Sequence, residues 1–354
     1  MTLTATTDAP AGTAPAGAAR AGRRRARMLV GLGILLFLLA VAAVLSLAVG
    51  ARSIAAADVW SALVDPSGSD DDVVVRSLRL PRTLLGVAVG VALGVAGALI
   101  QGHTRNPLAD PGLLGVSSGA AFAVCLAVYA FGISSGIGSV WFALGGALVA
   151  AVAVFLLGSI GDGGGTPVTL ALAGAAVTAF LTALTSALVL VDASTLDAYR
   201  FWVVGSLVGR GEDVLPSVLP FLAVGLLLAA VNAPALNTLQ MGEDVARGLG
   251  ARIGLARACG VAAVTLLTGA AVAVTGPIAF VGLVVPHVAR AITGPDHRWL
   301  LPYAGLLGAV LLVAADVVGR VLVRPAELPV GLVLAFVGAP FFIALVRRRR
   351  LVTL

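Results

Sequence analysis

Residues 78–121 read LRLPRTLLGVAVGVALGVAGALIQGHTRNPLADPGLLGVSSGAA, and this stretch decides the fold. From Leu84 to Gln101 no side chain is ionisable, and the run approaches the roughly 20 apolar residues a helix needs to cross a bilayer core. Gly90, Gly94 and Gly97 fall at helical spacing and make a small face through which a neighbouring helix can approach closely. The run stops at His103-Thr104-Arg105. In the turn that follows, Asn106 to Gly112, Asp110 is placed to cap a helix and Pro111 to fill its first position. A rigid turn accounts for these residues. Ser117, Ser118 and Gly119 then open a second apolar run, able to pack tightly or to line a pore.

The pattern repeats along the chain. Apolar runs fall at about 28–50, 84–101, 113–131, 138–158, 168–191, 214–232, 257–275, 278–292, 300–318 and 330–346. Of 354 residues, 59% are hydrophobic and 11% charged, against roughly 25% charged in a soluble domain. Forty-four glycines and few aromatics suit helices meeting through small faces in lipid. The expected fold class is an all-α integral membrane protein of about ten transmembrane helices. Residues 1–27 are expected to be a disordered cytoplasmic tail ahead of one polytopic domain, 28–350. The run after Arg23-Arg24-Arg25-Ala26-Arg27 exceeds the 7–15 residues of a signal h-region, so it reads as a first span. The eighth run is short and bracketed by Gly276-Pro277 and Pro286, which predicts an interior position, since broken helices need covered backbone.

Placing the N-terminus inside puts 15 arginines inside, among them Arg20, Arg23 to Arg25, Arg27, Arg105, Arg247, Arg252, Arg257, Arg290, Arg298 and Arg347 to Arg350. Eight lie outside: Arg52, Arg76, Arg79, Arg82, Arg200, Arg210, Arg320 and Arg324. Positive charge collects in cytoplasmic loops, so both termini are expected in the cytoplasm of a multi-pass inner-membrane protein. The basic balance has no soluble module on which to form a nucleic-acid face. Cys125 and Cys259 sit inside apolar runs, with neither disulfide nor metal spacing.

The chain contains no Lys, so it has no GxxxxGK[ST] phosphate loop. The spans carry almost no ionisable groups, which argues against a proton-coupled secondary transporter and an intramembrane enzyme. Asp192, Asp316 and Glu327, near span ends, are the candidates if proton coupling holds. His103, His287 and His297 are isolated and expected at the interfaces. Two long loops stand out, 51–83 outside and 233–256 inside. In the second, Gly242 to Gly250 suits a short helix with acids in its first turn. It reads either as a helix resting on headgroups or as a docking helix for a cytoplasmic motor, and the acids favour docking. Arg79 and Arg82, with Pro81 between them, are either interfacial anchors or partners for carboxylates of another protein. Arg320 lies on the same side.

Residues 78–121, MGEDVARGLG (241–250), GPIAFVGLVVPHVARAITGPDHRWLLP (276–302), ADVVGR (315–320) and ELPVGLVLAFVGAPFFIALV (327–346) closely resemble the iron-chelate and vitamin B12 importer permeases. The resemblance covers nearly the whole chain beyond the tail. It implies a type II ABC importer permease fold, paired with a second permease subunit, two cytoplasmic ATP-binding subunits and an extracytoplasmic substrate-binding protein. Gly242, Glu243, Ala246, Arg247, Leu249 and Gly250 would then form the coupling helix on the ATPase, within a coupling region of about 235–256. Arg79, Arg82 and Arg320 would dock the binding protein. ATP and Mg would sit on the partner ATPase, with no cofactor in this chain. The cargo expected is a ferric siderophore, with cobalamin or haem as alternatives. A proton-coupled transporter and a membrane scaffold are the other classes.

Overall fold

The computed structural model describes residues 15–50, 53–134, 136–160 and 166–347. The first apolar run lies in α1 (Pro15–Ala48). Two short helices follow, α2 (Ala56–Val64) and α3 (Asp70–Val73), and a π-helical turn at Val74–Arg79 carries α3 directly into α4 (Leu80–Thr104). A 3-10 turn, Pro111–Leu114, leads into α5 (Val116–Phe131), α6 (Gly136–Gly158), α7 (Pro167–Val191) and the short α8 (Ala193–Trp202). Then come α9 (Val214–Leu239), α10 (Glu243–Gly248), α11 (Ile253–Thr275), α12 (Val281–Thr293), α13 (His297–Leu322) and α14 (Val330–Arg347). Seven helices are long and apolar enough to span a membrane, and α5, α12 and α14 are shorter apolar helices, so every apolar run in the sequence is helical. Among the described residues there is no strand.

The centre of the bundle is α4, packed by α13, α11, α12 and α9. Its apolar window is 78% buried, against 11% for α7. The glycine face is what allows this. A Cβ at Gly94 would lie 2.1 Å from the Ala304 carbonyl oxygen of α13, and one at Gly97 would lie 2.1 Å from Gly282 O of α12. Backbone packs on backbone along both seams, as in small-residue helix contacts in lipid.

The eighth run is interior, as its prolines suggest. Between α11 and α12 the chain opens at Gly276, and the freed Thr275 carbonyl accepts from the Ser206 amide at 2.7 Å. Gly205, at φ 75°, lets that segment lie against Pro277. Covered in this way, the break loses no hydrogen bond to lipid. At the next turn, Asp110 Oδ1 accepts from Gly112 N at 2.8 Å with Pro111 at the first position, the expected cap, on a 3-10 turn. Burial raises the Asp110 carboxyl above its usual pKa.

Three boundaries differ from the sequence reading. Residues 15–27 of the expected tail are helical and continuous with the first span. Ala and Arg favour helix, and an existing span removes the cost of nucleation. Residues 1–14 and 348–350 lie outside the described residues. The second long loop is shorter than 233–256 because α9 passes through Pro234 to Leu239. A proline in a membrane helix removes one backbone bond and need not end it. The loop 51–83 is mostly helix among its described residues. Its acids begin α3, where Ser69 and Asp72 form a capping box and Asp72 also accepts from Ser67 and Gly68.

Candidate functional sites at the two ends of the bundle

At the end opposite the N-terminus, Arg79 and Arg82 are presented by the π turn and the first turn of α4, and Arg320 by the last turn of α13. The structure brings all three together. Arg82 Nη2 lies 2.8 Å from Asp316 Oδ1, its Nε 3.0 Å from Asp316 Oδ2, and its Nη1 2.6 Å from Glu327 Oε2. Arg320, one turn beyond Asp316, pairs with the second oxygen of that carboxylate and donates to Ser46 O at 2.7 Å. Arg79 donates to Leu47 O at 2.6 Å, and its guanidinium fits because residue 50 is glycine, where a Cβ would sit 2.6 Å from Nη2. Single π turns often mark functional sites, and here the turn sets where Arg79 points.

These arginines are not the exposed ones the sequence suggested. Arg79 is 7% exposed and Arg320 2%. A guanidinium withdrawn from water must be paired, and the nearest carboxylates belong to the chain itself. What remains accessible is a cavity of about 560 Å³ lined by Arg79, Arg82, Arg210, Arg320 and Glu327. Arg210 is a residue the motif reading did not select. It also lines a second cavity, of about 410 Å³, beside Arg76 and Glu212. Its Nε has no hydrogen-bond partner among the described residues, and burial lowers its pKa. The only signal in the sequence is an Arg between glycines at 209 and 211.

At the N-terminal end, Gly242 and Gly250 have φ of 108° and 81° and bracket the one-and-a-half-turn helix α10. Ala246 is fully buried in a small cluster with Leu239, Ile253 and Ala256. Glu243 pairs with Arg257 of α11 and, at 3.3 Å, with Arg247. Thus α10 is clamped to the ends of α9 and α11. Its other face is apolar and free: Leu249 is 66% exposed, with Met241 and Val245 beside it at spacings of four. Arg257, Met241 and Val245 extend the residues the sequence picked out.

His287 and His297 are buried within the protein and His103 is half-buried. His103 Nε2 lies 2.8 Å from Asn232 Nδ2, and His297 is held by Asn237, whose Oδ1 accepts the His297 amide at 2.8 Å. Arg290, 1% exposed, donates to Gln101 Oε1 at 3.2 Å. These side chains tie α4, α9, α12 and α13 in one polar layer near the N-terminal end. Asp192 caps α8, accepting from Thr195 N at 2.7 Å. Among the described residues no three His, Cys, Asp or Glu side chains gather as a metal site.

Comparison with known proteins places this geometry. Residues 38–348 match the FecCD transport family. The ferric enterobactin transport system permease protein FepD of Escherichia coli (strain K12) is 48% identical over 315 residues, covering 89% of this chain and 94% of that protein. The hemin transport system permease protein HmuU of Yersinia pestis is 40% identical, covering 90% and 96%. A solved structure of a metal-chelate type ABC transporter in an inward-facing conformation superposes with a TM-score of 0.78 at 30% identity, covering 90% of this chain and 98% of that one. The chain is a multi-pass membrane protein and belongs to the FecCD transport family.

Proposed function

We propose that this chain is the translocating subunit of a binding-protein-dependent ABC importer, and that its cargo is a ferric siderophore. Its 48% identity to a ferric enterobactin permease over nearly the full length of both is the observation that carries the cargo. Haem, at 40% identity to a hemin permease, and cobalamin, at 41% identity to a cobalamin permease, are the alternatives. Both termini lie in the cytoplasm, in keeping with the arginine distribution.

In this reading α10 is the coupling helix. Ala246 anchors it to the bundle, while Val245, Leu249 and Met241 seat in a partner ATPase, which supplies the hydrolysis that a Lys-free chain cannot. The clamp from Glu243 to Arg257 passes that partner's movement into α11. At the outer face, the cavity rimmed by Arg79, Arg82, Arg210 and Arg320 receives carboxylates of the loaded binding protein. Two copies of the permease, or this chain and a similar one, enclose the pathway. Transport is alternating access, a shift of population driven by differential binding of nucleotide and cargo to the states. No covalent chemistry and no cofactor are assigned to this chain. Asp316 is engaged by two guanidinium groups, an arrangement that suits a structural joint better than a proton relay.

Uptake of radioiron by cells lacking the chain, and by the same cells complemented with it, tests the cargo. Restored uptake from a ferric siderophore supports the reading. Restoration from haem alone would transfer the cargo to that alternative.

A further inference from the structure

A cavity of about 610 Å³ lies between α4, α9 and α13, in the half of the bundle nearer the N-terminus. Its volume is in the range of small-molecule sites, roughly 300–1,000 Å³. Small residues make it: Ala229, Ala230 and Ala233 on α9 and Gly305 on α13 leave a gap that Val91 and Val95 of α4 floor. The lining is apolar from Leu306 down to Leu301, a length of about 12 Å if the helical rise from Arg298 to Leu306 is counted. It turns polar at one end only, at His297 and Arg298.

That end holds a free cation. Arg298 is exposed, and among the described residues its guanidinium makes no hydrogen bond or ion pair; only its backbone amide is bonded, to Asp296 Oδ1 at 3.1 Å. Asp296 is the carboxylate nearest in sequence, and that oxygen also accepts from Asn237 Nδ2 at 2.7 Å, so it is committed to the helix cap. No carboxylate lines the cavity. Trp299, beside Arg298, is half-buried, as aromatic anchors at a membrane interface are. His297 is fully buried and points its Nε2 toward Gly102, where a Cβ would lie 2.6 Å away, so it belongs to the wall and not to the mouth.

We propose that this groove binds an anionic phospholipid, its acyl chain between α9 and α13 and its phosphate on Arg298. The polarity runs as a lipid's does, apolar toward the bilayer centre and cationic at the interface, and basic pockets between membrane helices select acidic head groups. The site is separate from the transport reading and stands or falls without it.

Native mass spectrometry of the intact protein in mild detergent tests it, with phosphatidylglycerol and phosphatidylcholine of identical chains as probes. The wild type is expected to prefer phosphatidylglycerol by about fivefold, the contribution of one Arg near an anionic surface. Arg298→Gln removes the preference, and Ala230→Phe, which fills the groove from an exposed position, weakens both lipids. Equal affinities in the wild type, or a preference that survives Arg298→Gln, would overturn the proposal. So would Ala230→Phe leaving lipid binding intact or changing the number of permease copies instead, the second of which would make the groove a subunit contact.

Discussion

Arg82 and Asp316, 234 residues apart in the chain, are joined by three hydrogen bonds of 2.8, 3.0 and 3.2 Å. The pair fastens the start of α4 to the end of α13, the two helices that also share the glycine seam. Asp316 also accepts from Arg320, at the Oδ2 it shares with Arg82, so one carboxylate holds two guanidinium groups.

Removing that carboxylate therefore leaves Arg320 with no carboxylate among the described residues and Arg82 with Glu327 alone. Asp316→Ala is expected to destabilise the protein by about 3–5 kcal/mol, the range for breaking a buried pair from one side. Glu327→Gln, at a side chain 27% exposed, should cost much less. Thermal unfolding in detergent distinguishes them, and equal losses would mean that the network is not a structural joint.

The glycine seam makes a second prediction. Gly94→Val places atoms where the Ala304 carbonyl now lies, and overpacking of this kind costs at least about 1–3 kcal/mol. Gly33→Ala on α1 meets nothing within 4 Å and should leave the unfolding temperature unchanged or slightly raised, since Ala favours helix. Similar behaviour of the two variants would contradict the close approach of α4 and α13.

Leu249→Asp alters an exposed residue just past the end of α10, so it should leave folding intact while abolishing ATP-driven uptake. Glu243→Ala loosens the tie to Arg257 and is expected to lower uptake less severely. Uptake and unfolding measured on the same preparations separate coupling from stability. Full uptake by Leu249→Asp would take the coupling role away from α10.

Arg210→Glu reverses a charge that makes no ion pair among the described residues, so the fold should tolerate it better than a change at Arg82. Capture of the loaded binding protein is expected to fall, most at low salt, where the Debye length is longest. Capture that does not respond to the reversal at any salt would remove Arg210 from the docking surface.

Much of this was legible in the sequence, because the signals were local. Each apolar run is a helix, Gly90, Gly94 and Gly97 face neighbouring helices, and Asp110 and Pro111 start a turn of helix where their chemistry requires. What was not legible shares a cause. That Arg79 and Arg320 are buried, and that Arg82 reaches Asp316 and Glu327 more than two hundred positions away, depends on how the helices pack, and hydropathy carries no such information. The same holds for His103 and His297, whose partners Asn232 and Asn237 lie on another helix. The end of α9 was set too early, because the helix runs on through Pro234 to Leu239.

The central claim is that a partner's ATP hydrolysis drives this chain through α10, and reconstitution tests it most directly. The chain would be purified with the subunits that accompany it, placed in liposomes, and assayed for ATP turnover with and without a binding protein loaded with ferric siderophore. Turnover that rises with the loaded binding protein, and uptake that is lost with Leu249→Asp while the complex stays assembled, is the predicted result. A chain that purifies alone and accumulates cargo in response to a pH gradient would contradict it.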